Sequence, residues 1–296
     1  MELIEYSVVA PMHNEEGNVE ALCEGIQGAM ESLNQSYEII FVNDASTDGT
    51  LARMMELQSG NPRFHFVDLE SNCGENWALL AGISKARGKI ILTIDGDNQN
   101  DPSYIPALLA ELARGYQVVS GRRKSRAEDF WTRRLPSRVA NALIRIVSGV
   151  PVHDCGCGLK AYRREVLEGT FVPKGFMNRF SPVILGVKAH EFSEVELLDR
   201  ARYSGQSHYG LSRIFVVIRD LWALPFAVRG PGRWLGRFRW MQGLLLVFSL
   251  LLALWGWWIL AGAMLLLALA AFMNVFSLGR FVQAQARPQF RIRAYR

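Results

Sequence analysis

Between Arg239 and Arg280 the chain has no Asp, Glu, Lys, Arg or His, and most positions are Leu, Ala, Val, Phe, Trp or Met. As a single helix this interval would be ~60 Å long at ~1.5 Å per residue, twice the ~30 Å hydrocarbon core of a bilayer. Two shorter crossings with a turn near Gly256 to Gly262 fit better, and a buried hairpin in a soluble protein is the alternative. Arg229, Arg233, Arg237 and Arg239 precede the interval, and Arg280, Arg287, Arg291, Arg293 and Arg296 follow it. Basic residues at both ends place both ends in the cytoplasm, which requires an even number of crossings.

The expected divisions are a cytoplasmic catalytic domain over 1–210, juxtamembrane amphipathic helices over 211–239, a hairpin over 240–279 and a basic tail over 280–296. Within 211–224, Ile214, Phe215, Ile218, Leu221 and Trp222 fall near one helical face, so this segment can lie among lipid headgroups or serve as an ordinary core helix. Glu2 and Glu5 precede a short strand-like run, so the N-terminus does not read as a signal peptide. The net charge of +5 belongs mostly to the membrane flanks, and no nucleic-acid recognition motif is present. Cys23, Cys73, Cys155 and Cys157 lack the companions of a zinc site and read as free thiols of a reducing compartment.

Before residue 210 the pattern alternates strand and helix. Tyr6 to Ala10 reads as a strand broken by Pro11, and Tyr37 to Val42, Phe64 to Leu69, Lys89 to Ile94 and Gln117 to Ser120 as further strands. Helical patterns run from about Asn18 to Leu33 and from Asn76 to Ala86, and Asp48-Gly49-Thr50 opens a short helix. The alternation predicts an α/β fold, a mostly parallel sheet flanked by helices. After the first strand stands Pro11-Met12-His13-Asn14-Glu15-Glu16-Gly17, not the Gly-x-Gly-x-x-Gly of a dinucleotide-binding unit, and no Gly-Lys-Ser/Thr phosphate loop occurs.

Three successive strand ends are polar and acidic: Asn14-Glu15, Asn43 to Thr50, and Asp95-Gly96-Asp97-Asn98-Gln99. Open α/β sheets bind ligands at this edge. Asp44 can accept from a base N–H and Glu15 from a ribose hydroxyl. Asp95, Asp97 and Gln99 offer hard oxygen ligands suited to Mg²⁺ or Mn²⁺. Helix capping by Asn14, Ser46 and Asp48 would account for any one loop, but not for acid at all three.

Pro11-x-x-Asn14-Glu15, Asn43-Asp44-x-Ser46-x-Asp48-Gly49-Thr50 and Asp95-x-Asp97-x-Gln99-x-Asp101-Pro102 resemble the motifs of family 2 glycosyltransferases with the GT-A fold. Gly121-Arg122-Arg123, Asp154-x-x-x-Gly158-Leu159-Lys160-Ala161-Tyr162-Arg163-Arg164 and Arg202-x-x-Gly205-x-Ser207 extend the resemblance to the polyprenyl-phosphate group, which is dolichyl-phosphate mannosyltransferase-like. It covers about residues 5 to 215, and the ordered set is specific where each motif alone is weak.

The resemblance implies an inverting transfer of a sugar from a UDP- or GDP-sugar to a polyprenyl phosphate, undecaprenyl being the expected lipid, at the cytoplasmic face of the inner membrane. Cell-envelope glycan or lipopolysaccharide modification is the implied setting, and a homo-oligomer is an allowed form. By the same resemblance Asp97 and Gln99 hold the metal with Asp95 bridging, and Asp97, Arg123 and Cys157 are the catalytic group. Pro11, His13, Glu15, Val42, Asp44, Asp95, Gly96, Arg202 and His208 would bind the nucleotide-sugar, and Arg122, Arg123, Arg133 and Ser137 the acceptor phosphate. The run Gly121 to Arg138, with seven basic residues, is otherwise a solvated basic face. His208 stands where many relatives carry Lys, which implies donor binding that weakens above neutral pH. Two other functions compete. A processive polysaccharide synthase would carry Gln-x-x-Arg-Trp, and Arg239-Trp240 lacks the Gln; a non-enzymatic nucleotide-sugar binder would not need Asp95, Asp97 and Gln99 intact.

Overall fold

The structure is a computed structural model that describes residues 4–124, 135–167, 181–198, 219, 222–227, 229–286 and 290–296, with the backbone alone at 135–140, 143, 181 and 284–286. The described residues fall into two compact units, a sheet domain that includes residues 290–296 and a helical unit within 219–286.

The sheet domain grows from four strands with near-continuous apolar runs: β1 (Tyr6–Met12), β2 (Tyr37–Asn43), β3 (Phe64–Leu69) and β4 (Ile90–Thr93). Strands buried on both faces read this way because neither side meets water. They pair in parallel in the order β4-β1-β2-β3, joined by helices α1 (Val19–Glu31), α2 (Thr50–Gly60) and α3 (Glu75–Lys85). Val8, Ala10, Ile39, Phe41 and Phe66 pack with Leu22, Ile26 and Met30 of α1 and with Ile105, Leu108 and Leu112 of α4 (Ile105–Ala113). On the opposite face α3 lies so close that a side chain at Gly82 would overlap Val9 and Val42. Truncating a fully buried anchor such as Ile26 or Phe66 to Ala would cost roughly 2–5 kcal/mol.

Pro11 does not break β1, which runs through it to Met12. The ladder to β4 ends at Val9↔Thr93, so the proline two residues further on removes no bond from that side.

The flanks are mixed in direction. β5 (Val118–Arg123) and β7 (Phe192–Leu197) pair in parallel, and β6 (Lys160–Arg163) runs antiparallel between β4 and β5. Arg163 and Arg164, part of the quoted motif, are structural clamps. Arg163 donates to the Leu112 and Tyr116 carbonyls (3.2 and 3.1 Å), and Arg164 to those of Ala86 and Gly88 (2.9 and 2.7 Å). These carbonyls lie in the last turn of α4 or just after α3 and α4, where a cation is favoured. The last residues are not a tail apart: Ile292–Tyr295 form β8, an antiparallel edge strand on β3. The full order is β7-β5-β6-β4-β1-β2-β3-β8, with four parallel and three antiparallel pairs.

In the second unit Pro231–Leu254 and Trp258–Ala286 are helices, and the chain turns at Trp255 to Trp257 with Gly256 at φ +81°. The turn falls at the near end of the predicted interval. Both helices are long and apolar enough to cross a membrane, with only 6 and 22 % of their most apolar stretches buried. Leu244, Val247, Leu251 and Leu254 face outward, which a soluble hairpin would hide. The predicted amphipathic segment 211–224 lies outside the described residues except Arg219 and 222–224.

Candidate active site

Parallel strands deliver the ends of β1, β2 and β4 to one sheet edge, and the first two loops are stitched to each other there. Asn14 and Ala45 adopt left-handed backbone (φ +57° and +50°) and fold the loops together. The Asn14 amide donates to Ser46 Oγ (3.0 Å), and the Thr47 amide and hydroxyl donate to Asn14 Oδ1 (2.8 and 3.2 Å). The Glu16 amide donates to Asp48 Oδ2 (3.2 Å) and the Gly49 amide to Glu16 Oε2 (3.1 Å). Burial pushes the Asp48 carboxyl up, but hydrogen bonds from the Thr50 hydroxyl and from the Thr50 and Glu16 amides outweigh it and hold the carboxyl below its usual range. Asn14 and Ser46 therefore tie loop to loop, and the N-cap positions of α1 and α2, Asn18 and Gly49, make no side-chain cap bond. Asn18, fully buried, donates to the Glu15 carboxylate and fixes its direction.

Asp44 is buried, and a loop the sequence had shown only as a connection holds it. The Cys73 and Gly74 amides donate to its two carboxylate oxygens, each at 2.8 Å. Gly74 has φ +88°, a conformation that costs glycine nothing and turns its N–H toward Asp44. His13 Nδ1 donates to the Asp44 carbonyl (2.8 Å), which leaves Nε2 as acceptor for Asn72 Nδ2 3.2 Å away. Burial, and then the Asp44 charge, push the Cys73 thiol up to about 12, so it is no nucleophile. The only sequence signal for this loop was a glycine just ahead of a helix.

The acidic pentad leaves β4 as expected. Asp95 lies directly against Gly158, where any side chain would overlap its carboxylate, and Thr93 Oγ1 donates to the Gly158 carbonyl (2.9 Å). Burial, followed by the negative charges of Glu75 and Asp97, pushes the Asp95 carboxyl up to about 8, against the pull of Arg123 and Lys160. Asp97 Oδ1 accepts from the Gln99 amide (3.2 Å). Between them Asn98 is left-handed, and its buried Oδ1 has no hydrogen-bond partner. Carboxylates forced together and an orphaned amide oxygen beside them suit a divalent cation. Among the described residues no three His, Cys, Asp or Glu side chains converge into a complete cage, so a cation here would draw further ligands from phosphate oxygens. Asp101 caps the turn Pro102–Tyr104 through the Ser103 amide (2.9 Å).

The end of β5 carries the cations. Arg122 and Lys124 reach Glu196 (3.9 and 3.2 Å) and stay largely exposed. Arg123 differs: its fork is bidentate to Asp154 (2.6 and 3.0 Å) and both side chains are nearly buried. Glu194 then accepts from the His153 and Asp154 amides (2.7 and 3.2 Å) and pairs with the His153 ring (2.8 Å). Arg123 was expected on the acceptor phosphate; here it braces the 154–158 loop that presses Gly158 on Asp95. Lys160, which sequence reasoning gave no role, is buried with its Nζ on the Cys155 carbonyl (3.4 Å) and supplies charge toward Asp95.

Cys157 was expected in the catalytic group. It is 1 % exposed in the apolar core beside Leu159 and Leu197, and burial pushes its thiol up to about 12. A sulfur so enclosed packs rather than reacts. Val42 is likewise buried against α3, so only its backbone lies at the edge, while Gly96 lets the chain pass over Met12 and Pro11. Arg133, Arg202 and His208 lie outside the described residues, and Ser137 is placed only by its backbone on α5 (Leu135–Ser148).

Residues 7–171 match the model of Glycosyl transferase family 2. The dodecaprenyl-phosphate galacturonate synthase of Rhizobium johnstonii is 40% identical over 241 residues, covering 79% of this chain and 71% of that protein. The undecaprenyl-phosphate 4-deoxy-4-formamido-L-arabinose transferase of Pseudomonas paraeruginosa is 34% identical over 217 residues, 73% of this chain and 63% of that one. The glucosyl-3-phosphoglycerate synthase of Mycobacterium tuberculosis, solved with UDP, superposes with a TM-score of 0.58 at 24% identity, covering 77% of this chain and 80% of that one. The same enzyme with Mn²⁺, UDP-glucose and phosphoglyceric acid gives 0.56 at 24% identity, over 77% and 80%.

Proposed function

This chain belongs to glycosyl transferase family 2, and from that premise we propose that it moves a sugar from a nucleotide-sugar to the phosphate of a polyprenol at a membrane surface. The observation that carries the reading is the convergence of Asp95 and Asp97 with the braced Asp44 edge in a chain that also carries two membrane-competent helices. Two relatives that match most of the chain are named for transfer to dodecaprenyl and undecaprenyl phosphate, which supports a polyprenyl acceptor here.

Asp44 and His13, fixed by the 72–74 loop, would receive the base, and Glu15, aimed by Asn18, the ribose. Asp95, Asp97 and Gln99 would hold Mg²⁺ or Mn²⁺ against the diphosphate; Mn²⁺ in the mycobacterial structural neighbour supports a divalent ion. When bound, that ion neutralises charge growing on the leaving diphosphate. The acceptor is a phosphate monoester with a second pKa of ~6, so it arrives largely as a dianion and needs no side chain to take a proton. The chain's task is then to orient donor and acceptor and to counter their charges. Arg122 at the end of β5 and Lys124 just after it would exchange Glu196 for a lipid phosphate, and Arg133 and Ser137 are proposed to join them. An attack from the face opposite the diphosphate inverts the anomeric centre. Both helix ends on the cytoplasmic side would keep this edge with the soluble donor.

Membranes containing the chain, incubated with labelled UDP- and GDP-sugars and undecaprenyl phosphate, test the reading. Label that extracts into organic solvent and is released by mild acid is expected. An insoluble polymer would indicate a processive synthase, and no transfer from any donor a binding protein.

A further inference from the structure

We infer that Arg293, on the last strand, is a positioning residue for the nucleotide half of the site, an inference that rests on the donor reading above. In the β3–β8 ladder Val67 faces Tyr295 and Asp68 faces Ala294, but Leu69 faces Ile292, so the register slips by one and Arg293 is the extra residue. Such a bulge re-aims the residue it leaves unpaired. Here it sends the guanidinium along β3 toward the site. One arm donates to Asp68 Oδ2 (3.1 Å) and the other to the Glu70 carbonyl (3.3 Å), and the Glu70 amide returns a bond to the Arg291 carbonyl (3.0 Å).

Both arms lead to Asp44. Asp68 is buried, and its other oxygen accepts from Asn43 Nδ2 (2.7 Å); Asn43 Oδ1 in turn accepts from the Ser46 amide (3.1 Å) and shapes the loop that begins with Asp44. Glu70 opens the 70–74 segment, whose Cys73 and Gly74 amides hold the Asp44 carboxylate. Arg293 acts on Asp44 through Asp68 and Glu70. It neutralises the buried carboxylate on which the second loop hangs and grips the start of the third. β8 is seated independently by Phe290 against Trp77 (6.2 Å between rings) and by Lys85 over the Tyr295 ring (5.5 Å), so the strand has anchors that leave Arg293 free to act on the loops.

The test uses the full chain in its membrane, with UDP and GDP as binding probes and R293A and R293K as variants. R293A is expected to weaken whichever nucleotide binds by about tenfold while the KM for lipid phosphate stays within twofold. R293K should recover part of the loss, since it meets Asp68 but has no second arm for the Glu70 carbonyl. Unchanged nucleotide affinity in R293A, or an equal rise in the lipid KM, would overturn the inference and leave β8 as an edge cover. Should R293A fail to fold, amide exchange in R293K decides. Faster exchange at Cys73 and Gly74 with unchanged exchange at Val8 to Ala10 is expected, and unchanged exchange at Cys73 and Gly74 overturns it. If the unaltered chain binds neither UDP nor GDP, the donor reading fails by itself, and the exchange measurement still judges the link from Arg293 to the loops.

Discussion

The two halves of the sheet edge are held together by different physics. At the ends of β1 and β2, carboxylates and amides of one loop accept from backbone N–H groups of the next: Asp48 from Glu16, Glu16 from Gly49, Asp44 from Cys73 and Gly74. At the end of β5, charge meets charge: Arg123 with Asp154, Arg122 and Lys124 with Glu196, His153 with Glu194. Backbone donors cannot be traded away, so the first half is a fixed mould. Exposed ion pairs are worth little individually and are screened by salt, so Arg122 and Lys124 can exchange partners cheaply. A site that must hold a nucleotide in one pose yet receive a mobile lipid phosphate gains from this division.

The largest effect should come where the halves meet. D97N keeps size and the bond from the Gln99 amide but removes the charge; transfer should fall by about 10³-fold, ~4 kcal/mol of barrier, with Tm little changed. A loss under tenfold would remove Asp97 from the reaction. R123A comes next. It takes the guanidinium fork from the buried Asp154 carboxylate, a loss of roughly 3–5 kcal/mol in stability, and loosens the loop behind Asp95. R122A should instead raise the lipid KM severalfold, less so at high salt, with Tm unchanged. If the two arginine variants behave alike, the contrast between braced and exchangeable cations is wrong.

The same contrast explains what the sequence disclosed. β1 to β4 were legible because burial on both faces writes near-continuous apolar runs, and their polar ends marked the edge. β6 and β8 were not legible. Each is four residues long and carries arginine or lysine, and each is a strand only because a neighbour offers an open ladder and, for the charges, a partner such as Asp68 or the Leu112 carbonyl. In the site, Asp95, Asp97 and Asp44 stood out as acid at strand ends. The roles of their supports did not: Gly74 lay in an unremarked loop, and Asp154, Gly158 and Lys160, quoted only as parts of a motif, act through burial and close approach that spacing does not encode.

A smaller effect sharpens the electrostatic side. An unfolded aspartate releases its proton near pH ~3.9, whereas in the fold Asp95 does so only at about 8. Between those values the folded chain binds the extra proton, so Asp95's contribution is greatest below the lower value and is lost as pH rises through the upper one. In chelator, Tm should therefore fall from pH 5 to 8 more steeply for the unaltered chain than for D95N. Equal slopes would mean that burial and the charges of Glu75 and Asp97 do not raise Asp95 in the fold. Adding Mn²⁺ at pH 8 should restore part of the loss in the unaltered chain alone.

The smallest expected change is at Cys157, and it separates packing from chemistry. The thiol is enclosed by apolar neighbours and donates only weakly to the Leu159 carbonyl at 3.8 Å. If the sulfur only packs, C157A should leave kcat within twofold and lower Tm by a few degrees, the effect of ~1 kcal/mol in a domain of this size. C157S should lower Tm further, because a hydroxyl loses more than a thiol on entering an apolar site. A reacting sulfur would give another pattern: C157A and C157S would both lose turnover by orders of magnitude while Tm moved little. The two readings therefore differ in whether Tm or kcat falls, and a large kcat loss at unchanged Tm would return Cys157 from the core to the site.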